Sequence, residues 1–244
     1  MLHRKWPAYL VIMFTILAVP KLYAQELHLV TAALPPLAPS ADKPGYMAQI
    51  AREAFTRIGV QVTISRLPAE RALINVNSGL DDGVLMRMAG LKKAYPNLIR
   101  IPEKVMTFEF VAFTRNTSIH VSNFAELEPY TVAYVTGWKF YEDKVKKALE
   151  ITCVRNLPEL FELLKKERSE IILAERWQGL WAAKQKGMKV RLLQPPFKVS
   201  DMYMYLNKRH AALVPMVAQA LADMKQDGSF QRIAAVTLQP LEDQ

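Results

Sequence analysis

Two charged residues each stand at the point where an apolar, strand-like segment ends. Arg87 follows Gly83-Val-Leu-Met86, and Glu175 follows Ile171-Ile-Leu-Ala174. In open α/β sheets ligands bind beyond the carboxyl ends of the strands, so both side chains are expected to face one cleft. An arginine can hold a carboxylate through two parallel hydrogen bonds. Together with an acid on the opposite wall, it predicts a site for a zwitterion such as an amino acid.

Each of these residues also has a purely structural interpretation. Arg87 could pair with Asp81 or Asp82, or lie on an exposed sheet edge. Glu175 could serve only to begin the helix that follows it, because an acid is favoured at a helix N-terminus. The sequence leaves both alternatives open.

Two aromatic residues, Tyr46 and Trp138, are candidates for the walls of the same cleft. Aromatic rings supply rigid contact area with a polar edge, which suits a small-molecule site. Ordinary packing in a core or between two halves of the molecule is the alternative for both.

The sequence offers little for covalent or metal-dependent catalysis. Cys153 is the only cysteine, and its segment Ile-Thr-Cys-Val predicts a short buried strand with an inert core thiol. Beyond the first 24 residues the histidines are His28, His120 and His210, and none has the spacing of a metal site or a catalytic pair. We therefore expect a chain that binds without reacting and needs no metal or cofactor.

The first 24 residues have the pattern of a secretory signal peptide. Arg4 and Lys5 precede an apolar run at 6–19, and Ala24 is a small residue at the cleavage point. A retained membrane anchor is the alternative, but the run is short and is broken by Pro7 and Pro20. The pattern predicts export to the periplasm and a mature chain that covers 25–244.

The whole chain has a formal net charge of +9. Its basic residues are dispersed, and they form no stripe with interleaved aromatic residues. That distribution is typical of solvated helix faces and argues against a nucleic-acid partner.

Strand-like and helix-like segments alternate in two series, the first with the order βαβαβ over 27–88 and the second after residue 116. This order predicts an α/β fold with two lobes, each a mostly parallel sheet flanked by helices, and a ligand cleft between them. The predicted limits are 25–115 and 201–244 for lobe 1 and 116–200 for lobe 2. Strands are predicted at 190–193 and 202–206, separated by Pro195-Pro196, and a closing helix at 213–225.

Several segments in order along the mature chain resemble the periplasmic solute-binding proteins of amino-acid ABC importers. This is the bacterial extracellular solute-binding protein family 3, with the type II periplasmic binding fold. The similar segments are Leu29-Val-Thr-Ala-Ala-Leu-Pro-Pro-Leu37, Gly45-Tyr46 with the helix after it, Gly79-Leu-Asp-Asp-Gly83, Thr131-Val-Ala-Tyr-Val-Thr-Gly137 and Met204-Tyr-Leu-Asn-Lys208.

The resemblance implies a monomer whose two lobes close on a small ligand and deliver it to a membrane permease or a membrane sensor. It implies that Glu175 holds the ligand's ammonium group. The family's usual carboxylate-binding arginine is missing, because 89–95 reads Ala-Gly-Leu-Lys-Lys-Ala-Tyr; Arg87 is one substitute and Arg71 another. Some relatives are dehydratases, so an enzyme that uses Glu175 as general acid or base is an alternative, as is a ligand-sensing signalling protein.

Overall fold

The computed structural model describes residues 26–40 and 43–242, so the predicted signal peptide lies outside the described residues. Within these ranges, the strands are Glu26–Thr31 (β1), Gln61–Arg66 (β2), Gly83–Arg87 (β3), Leu98–Arg100 (β4), Met106–Thr114 (β5), Thr131–Val135 (β6), Glu150–Val154 (β7), Ile171–Glu175 (β8) and Arg191–Asn207 (β9). The α-helices there are Tyr46–Thr56 (α1), Ala69–Ser78 (α2), Lys139–Lys144 (α3), Leu157–Lys165 (α4), Arg176–Gln185 (α5), Leu213–Gln226 (α6) and Ser229–Thr237 (α7). None of the helices in the described part is long and apolar enough to cross a bilayer.

The strands form a single sheet with the order β2-β1-β3-β9-β5-β8-β6-β7, and β4 pairs with β9 beside this path. At one end β1 is parallel to β2 and β3, and at the other end β6 is parallel to β7 and β8. In the middle, β5 and β9 run antiparallel to each other and to their other neighbours. The predicted α/β fold is confirmed, with two parallel halves joined by a central antiparallel ladder.

The longest strand, β9, continues through Pro195-Pro196, so the prediction of two strands separated by these prolines is wrong. Lys198 pairs with Phe110 and Leu193 pairs with Ala112, which leaves four residues of β9 opposite a single residue of β5. Proline has no N–H to give to a ladder and is tolerated at such a bulge. The strand therefore spans both halves without a break.

Hydrophobic residues on the two sides of this ladder pack into separate groups. In one half α6 packs on α1, which places Leu221 in one cluster with Ile50 and Leu29. In the other half, Phe113 and Phe161 are fully buried in contact with each other, with ring centroids 5.9 Å apart. The end of the chain thus returns to the half that contains its beginning.

A further helix, α7, follows the predicted closing helix and was not expected. Gly228 lies between the two helices with φ of 80°, a left-handed conformation that glycine adopts readily. The chain therefore turns at Gly228, and a new helix begins at Ser229. Asp227 then accepts a hydrogen bond from the Ser229 backbone N–H at 2.9 Å, which fixes the first turn of α7.

Cys153 is exposed, and the prediction of a buried core thiol is wrong. Its strand, β7, stands at the end of the sheet order and pairs with β6 only, among the described strands. Leu149 and Ile151 are also exposed there, with 70% and 37% of their surface accessible. Cys153 and Ile151 therefore lie exposed on an edge strand, whereas Val154 packs against the core.

Candidate functional site

A cavity of about 320 Å³ lies where β3 and β8 end and where α2 and α5 begin. Its walls come from both halves of the molecule. Three of its lining residues, Arg87, Glu175 and Gln178, have polar side chains, and the others are alanines, methionines and aromatic residues. The position agrees with the rule that placed a ligand beyond the carboxyl ends of the strands.

Arg87 is the last residue of β3, and the backbone just before it is irregular. The pairing with β9 shifts register between Val84 and Arg87, and Met86 has φ of 58°. A left-handed conformation is rare for a residue with a side chain, and such conformations concentrate at functional sites. The bulge directs the Arg87 side chain to the cavity wall instead of continuing the regular alternation of the strand.

The Arg87 guanidinium donates to two backbone carbonyls, that of Ala69 at 3.1 Å through Nη2 and that of Met86 at 3.2 Å through Nη1. Its Nε is buried without a hydrogen-bond partner in the described part of the chain. Burial lowers the pKa of Arg87, although Tyr95 and Glu70 act in the opposite direction. The guanidinium is therefore held in place by neutral groups.

The proposed structural partners of Arg87 are occupied elsewhere. Asp81 lies 2.7 Å from His28 Nδ1, and Asp82 accepts from Arg209 and from His210. Within residues 26–40 and 43–242 no ion pair includes Arg87. The interpretation that Arg87 serves to pair with these aspartates is wrong.

Glu175 ends β8 and is also the N-cap of α5, with only 2% of its surface exposed. Its Oε2 accepts the backbone N–H of Gln178 at 3.0 Å and the Gln178 side-chain amide at 3.3 Å. Its Oε1 has no partner among the described residues. The helix-capping interpretation is thus correct for one oxygen, and the other oxygen is buried without a hydrogen-bond partner among the described residues.

Burial raises the pKa of Glu175 to about 7, because desolvation disfavours the charged form. The N–H groups of Gln178 and Trp177 lower this pKa, and the charge of Glu109 raises it. The neighbouring cation does not neutralise Glu175, because Arg176 binds Glu109 at 2.9 Å and Glu242 at 2.6 Å instead.

One wall of the cavity is an aromatic cluster. The rings of Phe110 and Phe140 have centroids 4.6 Å apart, and Phe110 also meets the edge of Tyr141 at 5.8 Å. Trp138 stacks on Tyr141, with centroids 5.9 Å apart and 27° between the planes. Tyr141 is fully buried and donates to the Ala174 carbonyl at 2.7 Å, so this wall is fixed to β8.

Three of the residues predicted from sequence, Arg87, Glu175 and Trp138, line this one cavity. Tyr46 and Arg71 do not. Tyr46 is buried in the core at the start of α1, where burial raises its pKa to about 12, and Arg71 is exposed on α2.

Several other lining residues carry no functional signal of their own in the sequence. They are Gln178 and the apolar residues Met86, Met88, Met202, Phe108, Phe110 and Phe140. The alternation Phe108-Glu-Phe110 in a predicted crossing segment was the one available signal for the aromatic wall.

No family model matches the chain. A protein of Shewanella oneidensis, named only as uncharacterized, is 30% identical over 190 residues, which cover 73% of this chain and 70% of that protein. Among solved structures, the GluR0 ligand-binding core in complex with L-glutamate has a TM-score of 0.75 at 13% identity and covers 88% of this chain and 99% of that one. An ancestral amino-acid-binding protein, a precursor of cyclohexadienyl dehydratase, has a TM-score of 0.70 at 17% identity and covers 88% and 95%.

At these identities the solved structures establish the fold, which is the one that the sequence resemblance predicted. The chain therefore belongs to the same family as the Shewanella oneidensis protein, and its fold is that of the two-lobed, amino-acid-binding periplasmic proteins.

Proposed function

We propose that this chain is a solute-binding protein that holds a small, amino-acid-like carboxylate ligand in the cavity between its two halves. The observation that supports this most strongly is the pair Arg87 and Glu175. They line one cavity from opposite halves, and each has a buried polar atom without a partner among the described residues.

Arg87 and Glu175 carry opposite charges and are together complementary to a zwitterion. The Arg87 guanidinium can donate to a ligand carboxylate, and Oε1 of Glu175 can accept from a ligand ammonium group. Leaving a buried polar group without a hydrogen bond costs about 1–3 kcal/mol, and more for a charged group. A ligand that forms hydrogen bonds with both groups offsets this cost, and this gain favours binding.

The polar groups already have fixed positions before a ligand binds. Two backbone carbonyls hold Arg87, and the first turn of α5 holds Glu175 through its second oxygen. Groups that need no rearrangement lose little entropy on binding, so they favour affinity.

In the cell, the proposed protein is exported, binds its ligand in the periplasm as a monomer and closes its lobes around it. It then delivers the ligand to the permease of an ABC importer or to a membrane sensor. The proposed lobes are residues 25–115 and 201–244 on one side and 116–200 on the other, with β5 and β9 as the connection that bends.

An enzyme on the same fold is the second candidate. The raised pKa of Glu175, about 7, lies in the range in which a carboxyl group works as a general acid or base. One of the structural neighbours is a precursor of a dehydratase. In this alternative, Arg87 would orient a substrate carboxylate for a reaction at Glu175.

One experiment separates the two candidates. The mature protein is purified without denaturation, and the small molecules released on unfolding are identified by mass spectrometry. Each released compound is then returned to the protein and followed by calorimetry and by chromatography of the mixture. Saturable binding with the compound recovered unchanged supports the proposed function, whereas steady conversion of the compound supports the enzyme. No saturable binding of any released or candidate solute contradicts both.

A further inference from the structure

We infer that the ligand of this site has an aromatic side chain without polar groups, so that the substrate class is the apolar aromatic amino acids. This inference rests on the proposed function and adds to it the identity of the ligand's side chain. Three features of the cavity support it: the small number of its polar groups, the fixed aromatic wall and the methionines that also line it.

The polar groups of the cavity are too few to recognise a polar side chain as well as a carboxylate and an ammonium group. Among the described lining residues, only Arg87, Glu175 and Gln178 have charged or amide side chains, and Trp138 adds a single indole N–H donor. In the proposed function Arg87 binds the carboxylate and Glu175 binds the ammonium group. The Gln178 side-chain amide already donates a hydrogen bond to Glu175. A charged group on the ligand's side chain would find no opposite charge left to pair with it in this lining, and burial of a charge without a partner costs more than the roughly 1–3 kcal/mol of a neutral polar group.

The aromatic wall offers a ligand ring specific contacts instead of a smooth apolar surface. Phe110, Phe140 and Trp138 are held against the buried Tyr141, so their ring planes are set before a ligand enters. Aromatic pairs in edge-to-face or offset geometry are worth about 0.5–1.5 kcal/mol beyond the area they bury. An aliphatic side chain of similar size gains the burial but not this additional term.

Methionines supply other apolar surfaces of the cavity. Met86, Met88 and Met202 all line it, and Met88 is 45% exposed. Contacts between a thioether sulfur and an aromatic ring contribute about 0.3–1.5 kcal/mol, and the unbranched side chain adapts to the ring's shape. The exposed part of Met88 would be covered when a ring occupies the site.

The size of the cavity is sufficient for one such residue. At about 320 Å³ it stands at the lower end of the usual range for small-molecule sites, about 300–1,000 Å³. It has room for a single ring-bearing amino acid.

The test is a set of calorimetric titrations of the mature protein with L-phenylalanine, L-leucine, L-tyrosine, L-arginine, L-glutamate and phenylacetate. We expect L-phenylalanine to bind at least about tenfold more tightly than L-arginine or L-glutamate, which corresponds to 1.4 kcal/mol. L-leucine and L-tyrosine are expected to be weaker than L-phenylalanine, the first for want of a ring and the second because of its hydroxyl. Phenylacetate, which has the ring and the carboxylate only, is expected to be weaker as well.

The outcomes separate the inference from the proposed function. If L-arginine or L-glutamate binds as tightly as L-phenylalanine, the aromatic inference is overturned and the solute-binding function stands. If none of the six compounds binds, the inference is overturned, and the search for released solutes decides the proposed function separately.

A pair of variants places the ligand in this cavity. Met88→Ala removes a lining side chain, and Met216→Ala is its matched control, because Met216 is 46% exposed on α6 and does not line the cavity. We expect Met88→Ala to weaken L-phenylalanine binding about three- to tenfold, and Met216→Ala to leave it unchanged. Equal effects of the two variants would overturn the placement of the ring against Met88.

Discussion

Arg87 and Glu175 face the same cavity from different halves of the molecule, and each has a buried side-chain atom, Nε and Oε1 respectively, without a hydrogen-bond partner in the described part of the chain. Arg87 belongs to the half built on β1 and Glu175 to the half built on β6, on opposite sides of the central ladder of β5 and β9. A ligand that pairs with both residues therefore links the two halves directly.

Replacement of Arg87 should affect binding far more than folding. Arg87→Ala removes the donor to the ligand carboxylate, an interaction worth about 1.5–3 kcal/mol, so the dissociation constant should rise about ten- to a hundredfold. The folded chain loses only two bonds to backbone carbonyls. Calorimetry measures the affinity, and chemical denaturation measures the free energy of unfolding.

Two other arginines serve as comparisons for Arg87. Arg52→Ala is the matched control, because Arg52 is exposed on α1 and does not line the cavity. Arg71→Ala tests the second arginine that the sequence suggested, and its exposed position outside the lining predicts little change in affinity. If the Arg87→Ala variant bound the ligand with unchanged affinity, Arg87 would not be part of the binding site.

Binding of an amino acid should strengthen as the pH rises through the pKa of Glu175. A ligand ammonium group pairs with the carboxylate form, which is the minor form below about pH 7. The ionised fraction increases about tenfold between pH 6 and pH 8, so the affinity should increase by about the same factor. Calorimetry at several pH values measures this, and Glu175→Gln should remove most of the dependence. The same pH dependence in the variant would exclude Glu175 as its source.

The free energy of unfolding of the ligand-free protein should decrease as the pH rises through the pKa of Glu175, whereas ligand binding strengthens over the same range. The pKa of Glu175 in the folded protein, about 7, is higher than its usual value of 4.5, so the unfolded chain releases this proton first as the pH rises. The contribution of the protonated group is fully present below pH 4.5 and is lost as the pH rises to 7. Relative to Glu175→Gln, the wild-type protein should therefore lose on the order of 3 kcal/mol of unfolding free energy over this interval. Denaturation curves of both proteins at matched pH values measure the difference, and parallel pH profiles would contradict it.

The single thiol should react in the folded protein. Cys153 is exposed on the edge strand β7, so a maleimide reagent should label it under native conditions at a rate close to that of the unfolded chain. Mass spectrometry after brief labelling measures the modified fraction. Labelling that requires a denaturant would contradict the exposed position of Cys153.

The parts of the fold that depend on local pattern could be predicted from the sequence. The strand Thr131–Val135 and the helices near residues 46–56 and 69–78 follow from apolar periodicity and from glycine and proline at their ends. Arg87 and Glu175 could be placed in one cleft for a similar reason. Each stands at a strand end that the sequence marks, and parallel topology brings such ends together.

The features that the sequence did not reveal depend on contacts between distant segments. The prolines of β9 fit because they lie in the bulge that β9 forms opposite β5, and Cys153 is exposed because β7 is at an edge of the sheet. The cavity wall forms only where Phe110 of β5 meets Phe140 of α3. No local pattern in either segment indicates its partner.

A crystal structure of the protein with its bound ligand tests the central claim most directly. We predict the ligand carboxylate within hydrogen-bond distance of the Arg87 guanidinium and a ligand amino group within about 3 Å of Oε1 of Glu175. A ligand bound at another place, or in this cavity without contact to either side chain, would contradict the account.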